Sequence, residues 1–71
     1  MKSDATKHFG RRVRERRKKM RLSQEDFADR VGLDRTYVSG IERGTRNPTL
    51  ATMKRLAEGL GVPLETLLKG L

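Results

Sequence analysis

Four residues inside the stretch from Gln24 to Arg43 restrict the fold more than anything else in the chain. Counting Gln24 as the first position, Ala28 is fifth, Gly32 ninth, Val38 fifteenth and Ile41 eighteenth. Two helices that cross steeply through a tight turn need a small residue where their backbones approach, a role Ala28 fills. They also need a turn residue that tolerates positive φ, here Gly32, and apolar side chains at fixed offsets to lock the angle, here Val38 and Ile41. A generic helical hairpin with a glycine turn has no reason to keep all four.

Around this corner the apolar spacing predicts helices and nothing else. Phe9, Val13 and Met20 recur at helical intervals in a first helix that ends near Arg21. Ser23 is an N-cap for a second helix, with Asp26 three residues on and Phe27, Ala28 and Val31 on its inner face. Asp34 caps a third helix over Arg35–Arg43, whose stripe is Tyr37, Val38 and Ile41, and Gly44 ends it. A loop from Thr45 to Pro48 leads to a fourth helix that starts near Pro48 or Thr49 and carries Leu50, Met53, Leu56, Ala57 and Leu60. After Gly61, Pro63 opens a fifth helix in its first turn, with Leu64, Leu67 and Leu68. The expected architecture is all-α, a compact five-helix domain over residues 7–71 preceded by a flexible tail at 1–6, where no apolar pattern exists.

A chain of 71 residues makes one domain and buries only about 60% of the surface its unfolded form exposes, so it needs support. There is no cysteine for a disulfide, and the single histidine, His8, cannot make a metal site by itself. No cofactor is implied. Oligomerisation remains as the support. Leu64, Leu67, Leu68 and Leu71 at helical spacing exceed what one small core needs, and they are the expected interface of a homodimer.

Charge narrows the partner. The net charge of +8 is concentrated between Lys7 and Arg21, where nine basic residues face one acid, Glu15, and the rest of the chain balances. Such a field attracts polyanions, or it is a solvated helix face. The third helix decides between them. At about 100° per residue, Tyr37, Val38 and Ile41 share the inner arc, and Arg35, Thr36, Ser39, Gly40 and Arg43 share the outer one. That outer face has no hydrophobe larger than a threonine methyl, as a helix entering the DNA major groove requires. The corner reads as a helix-turn-helix.

Each outer residue has a chemistry to match. Arg35 is expected to reach guanine with two hydrogen bonds, Thr36 to pack its methyl on a thymine methyl, and Ser39 to meet a base edge. Gly40 permits close approach and reads nothing. Gln24 sits at the N-terminus of the second helix, where free amides already favour a phosphate. Arg43 and the loop donors Thr45, Arg46 and Asn47 complete the expected phosphate contacts. Arg17 and Glu42 both border apolar stripes, so a buried salt bridge is their expected role.

The run Leu22-Ser23-Gln24-Glu25-Asp26-Phe27-Ala28, followed by Gly32-Leu33-Asp34-Arg35-Thr36-Tyr37-Val38-Ser39-Gly40-Ile41-Glu42-Arg43-Gly44, resembles the XRE family of lambda-repressor and Cro-like regulators. The likeness extends over residues 7–70, through Pro48-Thr49-Leu50 and Leu60-Gly61-Val62. It implies a five-helix domain that binds a palindromic operator in double-stranded DNA as a dimer. It also supports Gln24 on phosphate, Arg35 and Thr36 on bases, and the Arg17–Glu42 bridge. Within the family, Leu33 to Arg43 with Arg46-Asn47 is similar to restriction–modification controller proteins, which implies control of such an operon. The arginine-rich first helix departs from the family's pattern, so its backbone contacts do not transfer simply.

Other functions fit less well. Without a cysteine, and with one histidine and no cleft, no acid–base pair or nucleophile is in view, so an enzyme is not expected. RNA readers stack bases on exposed aromatics, whereas Phe9, Phe27 and Tyr37 all lie on apolar stripes. The nearest alternative is an antitoxin or the DNA-binding part of a larger regulator. An antitoxin is expected to carry a toxin-binding tail, and the sequence stops at Leu71. With no signal-peptide or membrane-spanning run, a cytoplasmic, nucleoid-associated protein is expected. Glu25, Asp26 and Asp29 could meet RNA polymerase, but acids early in a helix are also favoured by its dipole.

Overall fold

Caps define the helices of this protein, and the computed structural model, which describes residues 4–70, shows how they do it. Five helices follow one another: α1 Asp4–Lys19, α2 Gln24–Val31, α3 Arg35–Arg43, α4 Leu50–Leu60 and α5 Leu64–Leu68. The Ser23 hydroxyl accepts from the Asp26 amide at the start of α2, and the Asp34 carboxylate accepts from the Thr36 amide at the start of α3. Thr49 plays the same part for α4. Each satisfies an amide that has no partner within its helix, a contribution of about 1 kcal/mol. At the turn of the corner, Gly32 adopts φ 72 and the Leu33 amide reaches back to the Ala28 carbonyl at 2.9 Å. That closes α2 and redirects the chain into α3 within three residues.

The helices pack around one core. Phe9 and Val13 of α1, Phe27 of α2, Val38 and Ile41 of α3, Leu56 of α4 and Leu67 of α5 are at most 3% exposed. α1 lies along α3 at very close range. Gly10 makes this possible, because a Cβ there would run into the backbone carbonyls of Ile41 and Glu42. α2 packs against both α3 and α4, and α5 bridges α4 to α1, which α4 also touches.

Four details depart from the sequence reading. Asp4, Ala5 and Thr6 are helical rather than part of the expected tail at 1–6, whose remaining residues, Met1–Ser3, lie outside the described residues. The apolar pattern missed this turn because Asp4 serves the helix dipole and Ala5 and Thr6 line a depression with Phe9 and Pro48. α1 stops at Lys19, just short of the expected end, and Arg21 takes φ 60 in the link to α2. Pro63 is the N-cap of α5, with ψ 150, rather than part of its first turn. Finally, Leu67 is fully buried, and Leu64 and Leu68 are half-buried against the core, because α5 needs them to hold itself to the domain. Of the leucines expected at a dimer interface on α5, Leu67 is thus spent in the monomer's own core, while Leu64 and Leu68 keep part of their surface exposed. Leu71 lies outside the described residues.

Candidate nucleic-acid interface

The inner face of α3 fixes what its outer face can present. Val38 and Ile41 are 0% and 1% exposed, so α3 can neither rotate nor slide without opening the core. Arg35, Thr36 and Arg43 are then exposed and Ser39 half-exposed along one side. Arg35 and Thr36 occupy the first turn, directly after the Asp34 cap, with their backbone pinned by the 2.9 Å bond from the Thr36 amide. Arg43 folds back along the helix, its Nε donating to the Ser39 carbonyl at 3.3 Å.

Beneath this face lies a buried polar network. Arg17 donates from Nε to Glu42 at 2.7 Å and from a second nitrogen at 3.0 Å, and its remaining nitrogen donates to the Leu22 carbonyl at 2.7 Å. The two side chains are only 9% and 2% exposed. Glu42 accepts a third hydrogen bond, from the Gln24 amide nitrogen at 3.0 Å. One short network thus ties α1, the α1–α2 link, the head of α2 and the tail of α3. Among the described residues no buried side-chain polar atom is left without a partner, so the burial carries no unpaired charge. Gln24, expected as a phosphate ligand, has one amide hydrogen committed to Glu42, which fixes how the rest of its head group is aimed. Arg14, which the sequence left undifferentiated within the basic run, lines a shallow cleft with Gln24, Ser39 and Arg43. No sequence signal singles it out, because its value comes from which flank of α1 meets α3.

The loop after α3 is more ordered than a string of donors. Both the Thr45 and Arg46 amides donate to the Gly40 carbonyl, at 2.9 and 3.2 Å, and the Thr45 hydroxyl adds a third bond at 3.2 Å. The stem of Arg46 crosses Gly40 so closely that a Cβ there would collide with it. Its guanidinium sits 5.7 Å from the centre of the Tyr37 ring, a cation–π contact. Gly40 is therefore buried under its own loop and not open to a groove, which corrects the expectation of close approach there. Thr45, Arg46 and Asn47 remain exposed, and Asn47 borders the depression shared with Pro48, Phe9 and Met53.

A family model described as helix-turn-helix, HTH_3, matches residues 13–67, which takes in α2, α3 and the core helices around them. The chain belongs to the HTH_3 helix-turn-helix family. This HTH_3 protein is 44% identical over 66 residues to the control protein C.MunI of Mycoplasma sp, across 92% of this chain and 89% of that one. It is 46% identical over 61 residues to the control protein C.BamHI of Bacillus amyloliquefaciens, across 84% and 75% of the two chains. Among solved structures it resembles the restriction-modification controller protein C.AhdI from Aeromonas hydrophila, with a TM-score of 0.85 and 45% identity. That match covers 87% of this chain and 94% of that one. The XRE-type resemblance and the all-α, five-helix fold read from the sequence both hold. Among the described residues, no helix is long and apolar enough to cross a membrane.

Proposed function

We propose that this HTH_3 protein is a sequence-specific transcriptional regulator that binds a palindromic operator as a homodimer, with α3 in the major groove, and controls a restriction–modification operon. The observation that carries this is the bare polar face of α3, held rigidly by Val38, Ile41 and the Glu42 network. Arg35 offers two donors to guanine, Thr36 a methyl to thymine, and Ser39 a hydroxyl at a base edge. Gln24, Arg43, Thr45, Arg46 and Asn47 grip phosphates on either side, and Arg46 does so from a position braced on Tyr37. The likeness to C.MunI, C.BamHI and C.AhdI supports the operon assignment. In an activating complex, exposed Glu25, Asp26 and Asp29 of α2 would face RNA polymerase. The protein works in the cytoplasm, at the nucleoid.

The dimer surface joins the exposed parts of Leu64 and Leu68 on α5 to Leu50 at the start of α4. Leu50 is 62% exposed and next to the half-buried Met53 and the apolar depression lined by Pro48, Phe9 and Leu68. A two-fold contact there covers Leu50, the one large hydrophobe among the described residues that the monomer leaves mostly in water.

Selection of duplexes from a random pool by the purified protein tests the reading. It should enrich an inverted repeat whose half-sites lie about one helical turn apart, roughly 34 Å. Arg35→Ala should weaken operator binding by about 1–3 kcal/mol and relax one base position. Equal losses on operator and random DNA would remove Arg35 as a base reader, and failure to enrich any sequence would remove the regulator.

A further inference from the structure

Among the described residues, one is held in a conformation it does not suit. Arg21 has φ 60, the left-handed region in which an L side chain crowds the following carbonyl. The other described positions with positive φ, at residues 32, 44, 61 and 70, are all glycine. The conformation closes α1, with the Arg21 amide donating to the Lys18 carbonyl at 2.9 Å and the Leu22 amide to the Arg17 carbonyl at 3.4 Å, but the arginine side chain takes no part in that cap. That side chain is exposed, and among the described residues its guanidinium has no hydrogen-bond or ion-pair partner. A glycine would close α1 equally well, so the arginine side chain has its use outside the monomer.

Its surroundings indicate where. Lys7, Arg11, Arg14 and Lys18 are exposed on α1 at spacings of four, three and four, and Arg21 continues the series after three more. The two flanks of α1 are occupied differently. On one, Arg12 donates to the Thr66 carbonyl and His8 bonds the Lys69 carbonyl, both at 2.8 Å, so that flank belongs to α5. The other belongs to α3. The Lys7 backbone lies so close to Gly44, the C-cap of α3, that a Cβ there would come within 2.9 Å of Lys7 Cα. Arg14 shares a cleft with Gln24, Ser39 and Arg43. From Lys7 to Lys18 the row runs about 17 Å at 1.5 Å per residue, or roughly five base pairs at 3.4 Å each.

From this we infer that Arg21 is a DNA-backbone contact, the terminal member of a phosphate-binding row on α1 that continues beyond the helix-turn-helix and adds affinity without reading sequence. The inference rests on the proposed DNA-binding function. A row of like charges along a duplex neutralises phosphates and releases counterions, so its signature is the salt dependence of binding. An acidic protein surface would also suit the row, but it would leave that dependence unchanged.

The test uses the full chain with Arg21→Gly, Arg21→Asn and Arg21→Lys, measured on a selected operator and on unrelated duplex across salt concentrations. Arg21→Gly should raise Tm by roughly 4–8 °C through relief of strain. It should also weaken binding to both duplexes by the same factor and lower the slope of log affinity against log salt by about 1. Arg21→Asn should show the same loss of slope, and Arg21→Lys should keep the wild-type slope. An unchanged slope in Arg21→Gly and Arg21→Asn, with wild-type DNA binding intact, overturns the role of Arg21 alone. Absence of duplex binding by the wild-type protein overturns both this inference and the function on which it rests.

Discussion

Glu42 sits on the helix proposed to meet DNA, yet it faces inward and accepts three hydrogen bonds, two from Arg17 and one from Gln24. Removing it leaves a guanidinium buried without its counter-charge, which costs about 3–5 kcal/mol. Against the 5–15 kcal/mol of a typical domain that loss is severe. Glu42→Ala is therefore expected to lower the urea midpoint sharply, with the slope of the transition unchanged. Replacing Arg17 and Glu42 together by methionine should recover most of the stability. It should not recover operator affinity, since Gln24 then loses the acceptor that aims it. If the double variant binds DNA as tightly as wild type, the network is structural and nothing more. Arg17 and Glu42 were legible as partners because each borders an apolar stripe in the sequence. Gln24 was not, because its link to Glu42 spans 18 residues and exists only where the head of α2 meets the tail of α3.

At the scale of elements, α1 meets α3 at Gly10 with no room for a side chain. In an isolated helix, Gly→Ala would be worth roughly 0.5–1 kcal/mol in favour of alanine. Here the new methyl would strike the carbonyls of Ile41 and Glu42, which are backbone and cannot swing aside. Overpacking of this kind costs about 1–3 kcal/mol or more, so the contact outweighs the propensity gain. Gly10→Ala should lower Tm, and it should weaken operator binding beyond the stability effect because α3 is pushed from its seat. Thermal melts alongside binding below the melting range would check both; a melt above that of wild type contradicts the close packing. Helix positions and caps were readable because Ser23, Asp34, Thr49 and the glycines act locally. Gly10 and Gly40 were not, since a glycine needed for a neighbour's approach looks in sequence like one that merely weakens a helix.

For the whole molecule, the proposed homodimer needs an apolar surface that the monomer does not spend on itself. The surplus of leucines on α5 pointed to that helix, but a domain this small uses Leu67, and much of Leu64 and Leu68, to complete its own core. Among the described residues the largest unspent hydrophobe is Leu50, beside its apolar surroundings and what Leu64 and Leu68 leave exposed. Because Leu50 is largely exposed, Leu50→Asp should leave the monomer's stability within about 0.5 kcal/mol of wild type. It should shift sedimentation at micromolar concentration from dimer to monomer and weaken binding to the full operator far more than to a single half-site. A dimer that persists in Leu50→Asp removes Leu50 from the interface, with the outer faces of Leu64 and Leu68 the next to examine.

The sequence by itself determined the helices, the corner between α2 and α3, and the polarity of α3, because each depends on residues a few positions apart. Helical periodicity, caps and turn glycines are short-range physics, and Ala28, Gly32, Val38 and Ile41 encode the corner within one stretch of chain. Tertiary structure decided what depends on which surfaces meet. It buried Gly40 under Arg46, consumed Leu67 in the core, left Leu50 in water and divided the basic run of α1 into a flank for α5 and a flank beside α3. Charge and hydrophobicity are properties of residues, but exposure is a property of the assembled fold, so the polar face of α3 was visible in advance and its supports were not.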